Sequence, residues 1–431
     1  MPQVDAESKD ASLSLTEKKD PEALVPPDGG AKAWACVAGS FLLQFCSFGY
    51  VNACGIFQYY YSDSLLADQS SSSLAWITTL QVFLLFLFGP FVGQLIDVYG
   101  SRPIIAPFSI MAVFSVCMLS LCKEYWQVML AQGVAFGLAS SGLSLPAMAL
   151  ATQWFSSKRG LAVGIVACGS SLGGVIYPFM IPRLVDSVGF AAAIRWTALL
   201  QGVLLLVANF LCSTPFPPKR KLEKKQSAGL KAFKSLPWGF FVLGCFFTMW
   251  GLFAPLNYLP EMAAQKGMST QMALYTLAIA NAGSAVGRVV PGWISDRIGQ
   301  FNVMACVSLF SGVLLLCFWL PLEIHPSSAG IIVFALLYGF CSGGFVSMGA
   351  PCVASLAEGR MDEIGLKLGG FCLAIALGAL TGLPIEGAIK DREGDSFKGL
   401  MVFAGVSMLL GGCLHLATRV LKGGWAVMKK V

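Results

Sequence analysis

Hydrophobic residues in this chain come in long runs, cut at intervals by short polar stretches. The runs lie at about 34–59, 74–96, 103–121, 126–150, 160–181, 194–213, 238–260, 272–294, 302–320, 329–355, 366–388 and 399–420. About 20 apolar residues in helical form cross the ~30 Å hydrocarbon layer of a bilayer. A helix also satisfies its own backbone donors and acceptors where no water is present. The pattern therefore predicts an all-α polytopic membrane protein with twelve transmembrane helices. Ahead of the first run, residues 1 to about 30 are polar and rich in Ser, Asp, Glu and Lys. They lack the basic segment and short apolar core of a cleaved signal peptide, and read as a disordered tail.

One polar interruption occurs twice. Gly93-Gln94-Leu95-Ile96-Asp97-Val98-Tyr99-Gly100-Ser101-Arg102-Pro103 separates the second and third runs, and Gly292-Trp293-Ile294-Ser295-Asp296-Arg297-Ile298-Gly299 separates the eighth and ninth. Gly93, Asp97 and Gly100 map onto Gly292, Asp296 and Gly299 with one offset of 199 residues. A loop repeated at nearly half the chain length implies two copies of a six-helix unit, pseudo-symmetric halves of one protein. The expected organisation is a tail at 1–33, a first bundle at 34–213, a linker at 214–237, a second bundle at 238–420 and a short tail at 421–431. The linker holds Pro215, Pro217 and Pro218 with seven bases, which suits either a basic helix on the membrane surface or a flexible hinge.

Composition narrows the class. The chain has 431 residues, 56% hydrophobic and 12% charged, against roughly 25% charged in soluble domains. The net charge of +6 is no nucleic-acid footprint, because the bases cluster beside the spans rather than on one basic face. The 14 cysteines form no CxxC pair and no Cys/His cluster, so neither a metal site nor a disulfide framework is expected. No cofactor is implied. No Gly-x-x-x-x-Gly-Lys-Ser/Thr loop is present, so nothing in the chain points to ATP as an energy source. With the N-terminus inside, twenty-one Lys and Arg fall on the inner side and seven on the outer. That bias puts both termini in the cytoplasm of a multi-pass protein, with the plasma membrane as the expected location.

Two parallel six-helix halves joined by a basic loop resemble the major facilitator superfamily, and Gly-x-x-x-Asp-x-x-Gly-x-Arg is similar to that superfamily's signature loop. The resemblance implies that Gly93, Asp97, Gly100, Arg102, Asp296 and Arg297 form a conformational latch bracing the inner helix ends. The alternative is that they stabilise fold and orientation only. The second copy has Gln300 where a base could sit. A narrower resemblance is to the monocarboxylate porter branch in its fungal form. It rests on Asp28-Gly29-Gly30-Ala31-Lys32-Ala33-Trp34 ahead of helix 1 and on Phe155-Ser156-Ser157-Lys158-Arg159-Gly160-Leu161-Ala162-Val163-Gly164 ahead of helix 5. On helix 5, Gly160, Gly164, Gly169 and Gly173 put small residues four apart, a device for close helix packing in lipid.

Ionisable side chains deep in a span are costly and functional by default. Arg288 lies in the middle of the eighth run, among Gly283, Gly287, Pro291 and Gly292, and needs an anion such as a substrate carboxylate. In the porter branch an Arg at this place binds substrate, accompanied by an Asp one turn earlier and a Lys in helix 1. Here those positions are Ser284 and Cys54, neither of which titrates near neutral pH. Glu386 is read as the remaining deep acid, a candidate proton site or an ion-pair mate for Arg288, or else an outer-rim residue. His325 and His415 are expected in solvent or among headgroups. Uncharged cavity candidates include Asn52, Gln132, Asn257, Tyr258 and Asn281. The superfamily's use of helices 1, 4 and 7 to line the pathway favours Asn52, Gln132, Asn257 and Tyr258. Each could instead make an interhelical hydrogen bond of about 0.6 kcal/mol. Phe57, Tyr59, Trp250 and Phe345 widen the choice towards ring-bearing substrates.

The sequence thus predicts a secondary active transporter, not an enzyme, that moves a small organic acid or anionic metabolite by alternating access. Export of a fungal secondary metabolite is favoured over proton-linked uptake of a monocarboxylate or vitamin. The alternative of another class is a solute receptor on a transporter fold, which the short tails disfavour. Lipid surrounds the protein, which is expected to be a monomer.

Overall fold

The computed structural model describes residues 27–155, 158–215, 233–357, 361–394 and 396–424. Among them, twelve helices are long and apolar enough to cross a membrane. They are α1 Ala31–Leu65, α2 Ser71–Tyr99, α3 Ser101–Leu119, α4 Tyr125–Trp154, α5 Arg159–Val188 and α6 Phe190–Leu211 in the first half. The second half has α7 Leu236–Gln265, α8 Thr270–Ile298, α9 Gln300–Ile324, α10 Ser328–Leu356, α11 Met361–Arg392 and α12 Lys398–Gly423. Most of the expected tail at 1–33, of the linker at 214–237 and of the tail at 421–431 falls outside the described residues.

The repeated loop is shorter than its polar residues suggest. Helix α2 continues to Tyr99 and α8 to Ile298, so Asp97 and Asp296 belong to helices. What stops each helix is a glycine beyond it, Gly100 at φ 88° and Gly299 at φ 100°. A side chain is strained in that left-handed region, whereas glycine enters it freely. We call the membrane face with these turns the near side, and that of the α1–α2 and α7–α8 turns the far side.

The halves meet chiefly along three helix pairs, α1 with α7, α2 with α11 and α5 with α8. Close approaches rest on missing side chains. A Cβ at Gly55 would sit 2.3 Å from the Leu256 carbonyl oxygen, and one at Gly174 would strike the Asn281 side chain. Within the second half, α8 and α10 interlock through Gly283, Gly287, Gly339 and Gly343, each facing a backbone carbonyl of the other helix. Dispersion at such backbone-to-backbone contacts drives helix association in lipid. On α5 the glycine stripe splits: Gly169 and Gly173 pack on Phe41 and Gly49 of α1, while nothing lies within 4 Å of a Cβ at Gly164.

Two spans are interrupted at matching places. Helix α1 loses its regular course at Asn52–Ala53, and α7 does so at Phe253, two residues before Pro255. Proline has no N–H to give the carbonyl four residues earlier. That carbonyl, Gly251, and its neighbour Leu252 instead lie 3.1 and 2.8 Å from the Tyr338 hydroxyl of α10. A buried carbonyl in hydrocarbon needs such a donor.

Candidate functional site

Both interruptions reach one cavity, whose wall includes Asn52 of α1 and Phe253 of α7. It has a volume of about 20 Å³ and is lined from both halves. Phe48 and Asn52 come from α1, Leu252, Phe253 and Leu256 from α7, Ala280, Asn281, Ser284 and Arg288 from α8, and Ser342 and Val346 from α10. That volume holds a water molecule, so a metabolite needs the helices to move apart. Interrupted spans in corresponding positions of two repeats are where transporters build binding sites.

Arg288 is the one charged residue of this lining. It is buried, and its Nη1 donates across the interface between the halves to the Ala167 carbonyl oxygen at 2.9 Å and to the Ser170 hydroxyl. Its guanidinium carbon stands 5.9 Å from the Phe48 ring centre. The Nε hydrogen is buried without an acceptor, and no described carboxylate lies within salt-bridge distance. A desolvated cation held only by neutral acceptors is an incomplete arrangement, since a charged acceptor adds far more. Beside it, the Asn52 amide donates to the Ser170 carbonyl at 3.5 Å and the Asn281 amide to that of Leu277 at 2.9 Å.

The structure therefore brings Arg288, Asn52 and Asn281 together and separates the other candidates from them. Gln132 does not line the cavity: its side-chain oxygen accepts a hydrogen bond from Tyr61, inside the first half. Asn257 and Tyr258 are fully buried on the far-side half of α7, outside the cavity lining. Helices α8 and α10 take the place expected for α4, because the small-residue contact of α8 with α10 turns Ser284 and Ser342 to the same space. The ring candidates change as well. Phe57 packs on Tyr50 and Tyr61, Phe345 on His415, and Trp250 donates to Thr381 at 2.7 Å. The rings of the cavity are Phe48 and Phe253.

Glu386 is not paired with Arg288, and its turn of α11, between Pro384 and Gly387, packs on Ser72 at the far-side start of α2. Glu386 itself is fully buried, and both carboxyl oxygens lack a hydrogen-bond partner among the described residues. Nor is it the only buried acid. Glu261, near the far end of α7, is buried and forms an ion pair of 2.7 Å with Lys390 of α11. Its place just beyond the predicted end of the seventh run hid it. His415 is also buried, against Phe241 and Phe345, with both ring nitrogens unpartnered. His325 is exposed as expected.

Of the latch residues, Arg102 donates to the Phe210 carbonyl oxygen at 3.2 Å within its own half, and Arg297 stacks over Trp293 at 3.9 Å. Among the described residues, neither of these contacts crosses between the halves. A Cβ at Gly93 would meet nothing. The side chains of Asp97 and Asp296 lie outside the described residues. The two motifs ahead of α1 and α5 do meet: the Asp28 N–H donates to the Trp154 carbonyl at 3.0 Å, and Trp34 packs on Phe155 with ring centres 5.0 Å apart.

Comparison with known proteins agrees with this architecture. The sequence profile of the Major Facilitator Superfamily matches residues 37–379. MFS-type transporter hasB of Aspergillus fumigatus is 73% identical over 419 residues, covering 94% of this chain and 93% of its own length. The aspyridones efflux protein apdF of Emericella nidulans is 39% identical over 423 residues, 98% of this chain and 84% of its own. Among solved structures, a point mutant of the nucleoside transporter NupG superposes with a TM-score of 0.67 at 15% identity, covering 90% of this chain and 99% of NupG.

Proposed function

The chain belongs to the major facilitator superfamily, and from that premise we propose that it is a secondary active exporter of an anionic metabolite working by alternating access. Arg288 carries this reading: a buried guanidinium, shared between the halves and facing a cavity, with no described acid to neutralise it. A carboxylate entering the cavity replaces neutral acceptors with a charged one and is oriented by the guanidinium fork. Asn52, Asn281, Ser284 and Ser342 supply hydrogen bonds, while Phe48, Phe253, Leu252, Leu256 and Val346 suit an apolar or ring-bearing body. The absence of the Asp and Lys expected beside Arg288 disfavours simple lactate-type symport. That a 39% identical relative is an efflux protein favours export.

The excess of Lys and Arg on the near side supports placing that side, and both termini, in the cytoplasm. Glu386 is the proposed proton site. Burying an ionised carboxylate without a partner costs so much that such a group takes up a proton instead. The near-side residues Asp97, Arg102, Asp296 and Arg297 are proposed to latch the halves in the alternate conformation, when the near ends close. The protein acts as a monomer in the plasma membrane. The experiment that tests the function is deletion of the gene followed by metabolite analysis of cells and medium. An anionic product should accumulate inside and fall outside; an unchanged distribution, or accumulation of neutral compounds only, overturns the reading.

A further inference from the structure

On the far side the halves touch at two pseudo-symmetric places, and the contacts at the two places differ. The first turns of α2 and α8 correspond with the same offset of 199 residues as the near-side loops. Each opens on a serine that caps its own helix, Ser70 accepting from the Ser73 N–H and Ser269 from that of Met272. What meets these two helix starts from the opposite half differs. Against α8, Arg183 of α5 donates from Nε to the Tyr275 hydroxyl at 3.0 Å, and Phe179 packs on the Tyr275 ring at 4.3 Å. Against α2, the carboxylate of Asp391 on α11 accepts the Ser71 N–H at 3.0 Å with one oxygen and the Ser72 N–H at 3.1 Å with the other.

Three further contacts surround that carboxylate. Lys390 donates to the Ser71 hydroxyl at 3.1 Å, the Ser72 hydroxyl donates to the Pro384 carbonyl at 3.0 Å, and Gly387 leaves room for the backbone of Ser72. Lys390 is itself held by Glu261 of α7 at 2.7 Å. We propose that Asp391 is the far-side gate lock of the transport cycle, closing on the free N–H groups of α2, with Glu261 and Lys390 as its positioning residues.

The physical case is one of strength and reversibility. The first N–H groups of a helix have no acceptor within the helix and carry its positive dipole end. A carboxylate that takes two of them makes a directional, charge-assisted contact. Asp391 is exposed, whereas Lys390 is buried. When α2 and α11 part, water replaces the serine N–H groups at Asp391 at little cost, so the lock opens as readily as it closes. Glu261 and Lys390 belong to the same half and need not separate. Their pair keeps the lysine directed at Ser71. The lock requires only that the halves rock, and depends on neither the substrate nor the direction of flux proposed above.

Hydrogen–deuterium exchange of the full chain in lipid nanodiscs, read by mass spectrometry, tests the assignment. Asp391→Asn should make residues 66–74 and the far-side halves of α1 and α7 exchange about fivefold faster, the factor that ~1 kcal/mol at an exposed helix N-terminus represents. Because opening one side closes the other, the near-side ends of α4 and α10 should exchange more slowly. Ser71→Pro is the second variant. Proline is tolerated at the first helical position and Ser70 is already extended, yet the N–H and hydroxyl at position 71 are gone. It should give the same reciprocal pattern. Far-side exchange that stays at the unmodified rate overturns the assignment. So does faster exchange at both ends in both variants, because the residues would then hold the fold and not the gate.

Discussion

Replacing Arg288 with Gln removes the charge while keeping a polar side chain of similar reach. The unmodified guanidinium spends Nη1 on Ala167 and Ser170 and leaves Nε without an acceptor. A substrate carboxylate thus finds at least one unused donor and can displace the neutral acceptors from another. Each hydrogen bond to a charged group contributes about 1.5–3 kcal/mol net. Giving up the contacts with α5 offsets part of two such bonds. The net loss in Arg288→Gln is then about 2–3 kcal/mol, a roughly 30- to 150-fold weaker apparent affinity. The assay is counterflow in proteoliposomes with two probes, the acid identified by gene deletion and its methyl ester. Arg288→Gln also loosens the α5–α8 contact, and the ester reports that effect alone. The acid should lose affinity by the stated factor and the ester should lose little. Equal losses for both would make Arg288 a structural bridge, and an unaffected acid would remove it from the site.

Three other outcomes follow from the geometry. Glu386→Gln should abolish the response of transport to an imposed pH gradient while leaving counterflow at equal pH intact; a coupling ratio that does not change acquits this acid. Glu261→Gln takes away the carboxylate 2.7 Å from the buried Lys390 and should lower stability, whereas Glu261→Leu combined with Lys390→Met should recover most of the loss, read as thermal unfolding in detergent. Equal unfolding temperatures for the single and double variants would refute the pairing argument. Gly339→Ala puts a Cβ 1.9 Å from the Ala280 carbonyl oxygen and should destabilise by about 1–3 kcal/mol through overpacking. The control Gly164→Ala, with nothing within 4 Å, should stay within about 0.5 kcal/mol. Similar shifts in both would sink the close-packing account of α8 and α10.

Much of this protein is written along the chain in one dimension. Twelve spans, their duplication and the family follow from apolar runs and from a loop repeated after 199 residues, because lipid constrains each span separately. The glycines that end α2 and α8 were visible for the same reason, as a turn needs only its own backbone angles. Arg288 stood out because a charge in hydrocarbon is conspicuous without any neighbour. The interruption of α7 also had a local signal in Pro255, and that of α1 lies between Gly49 and Gly55.

Which side chains share a space was decided by the tertiary structure alone. Gln132 and Asn52 look alike in sequence, yet one is used up by Tyr61 and the other lines the cavity. The difference lies in how each helix is rotated about its axis. That rotation is set by where glycines let a neighbouring helix come close, Gly55 against the Leu256 carbonyl, Gly174 against the Asn281 side chain, and Gly339 and Gly343 against α8. Glu261, Lys390 and Asp391 show the same limit. Residues 261, 390 and 71 are brought together only when α2, α7 and α11 converge on the far side, and no spacing along the chain records that meeting. Composition and periodicity determined that this chain spans a membrane as two related halves. Helix rotation and close backbone packing decided what the halves enclose and how they are locked.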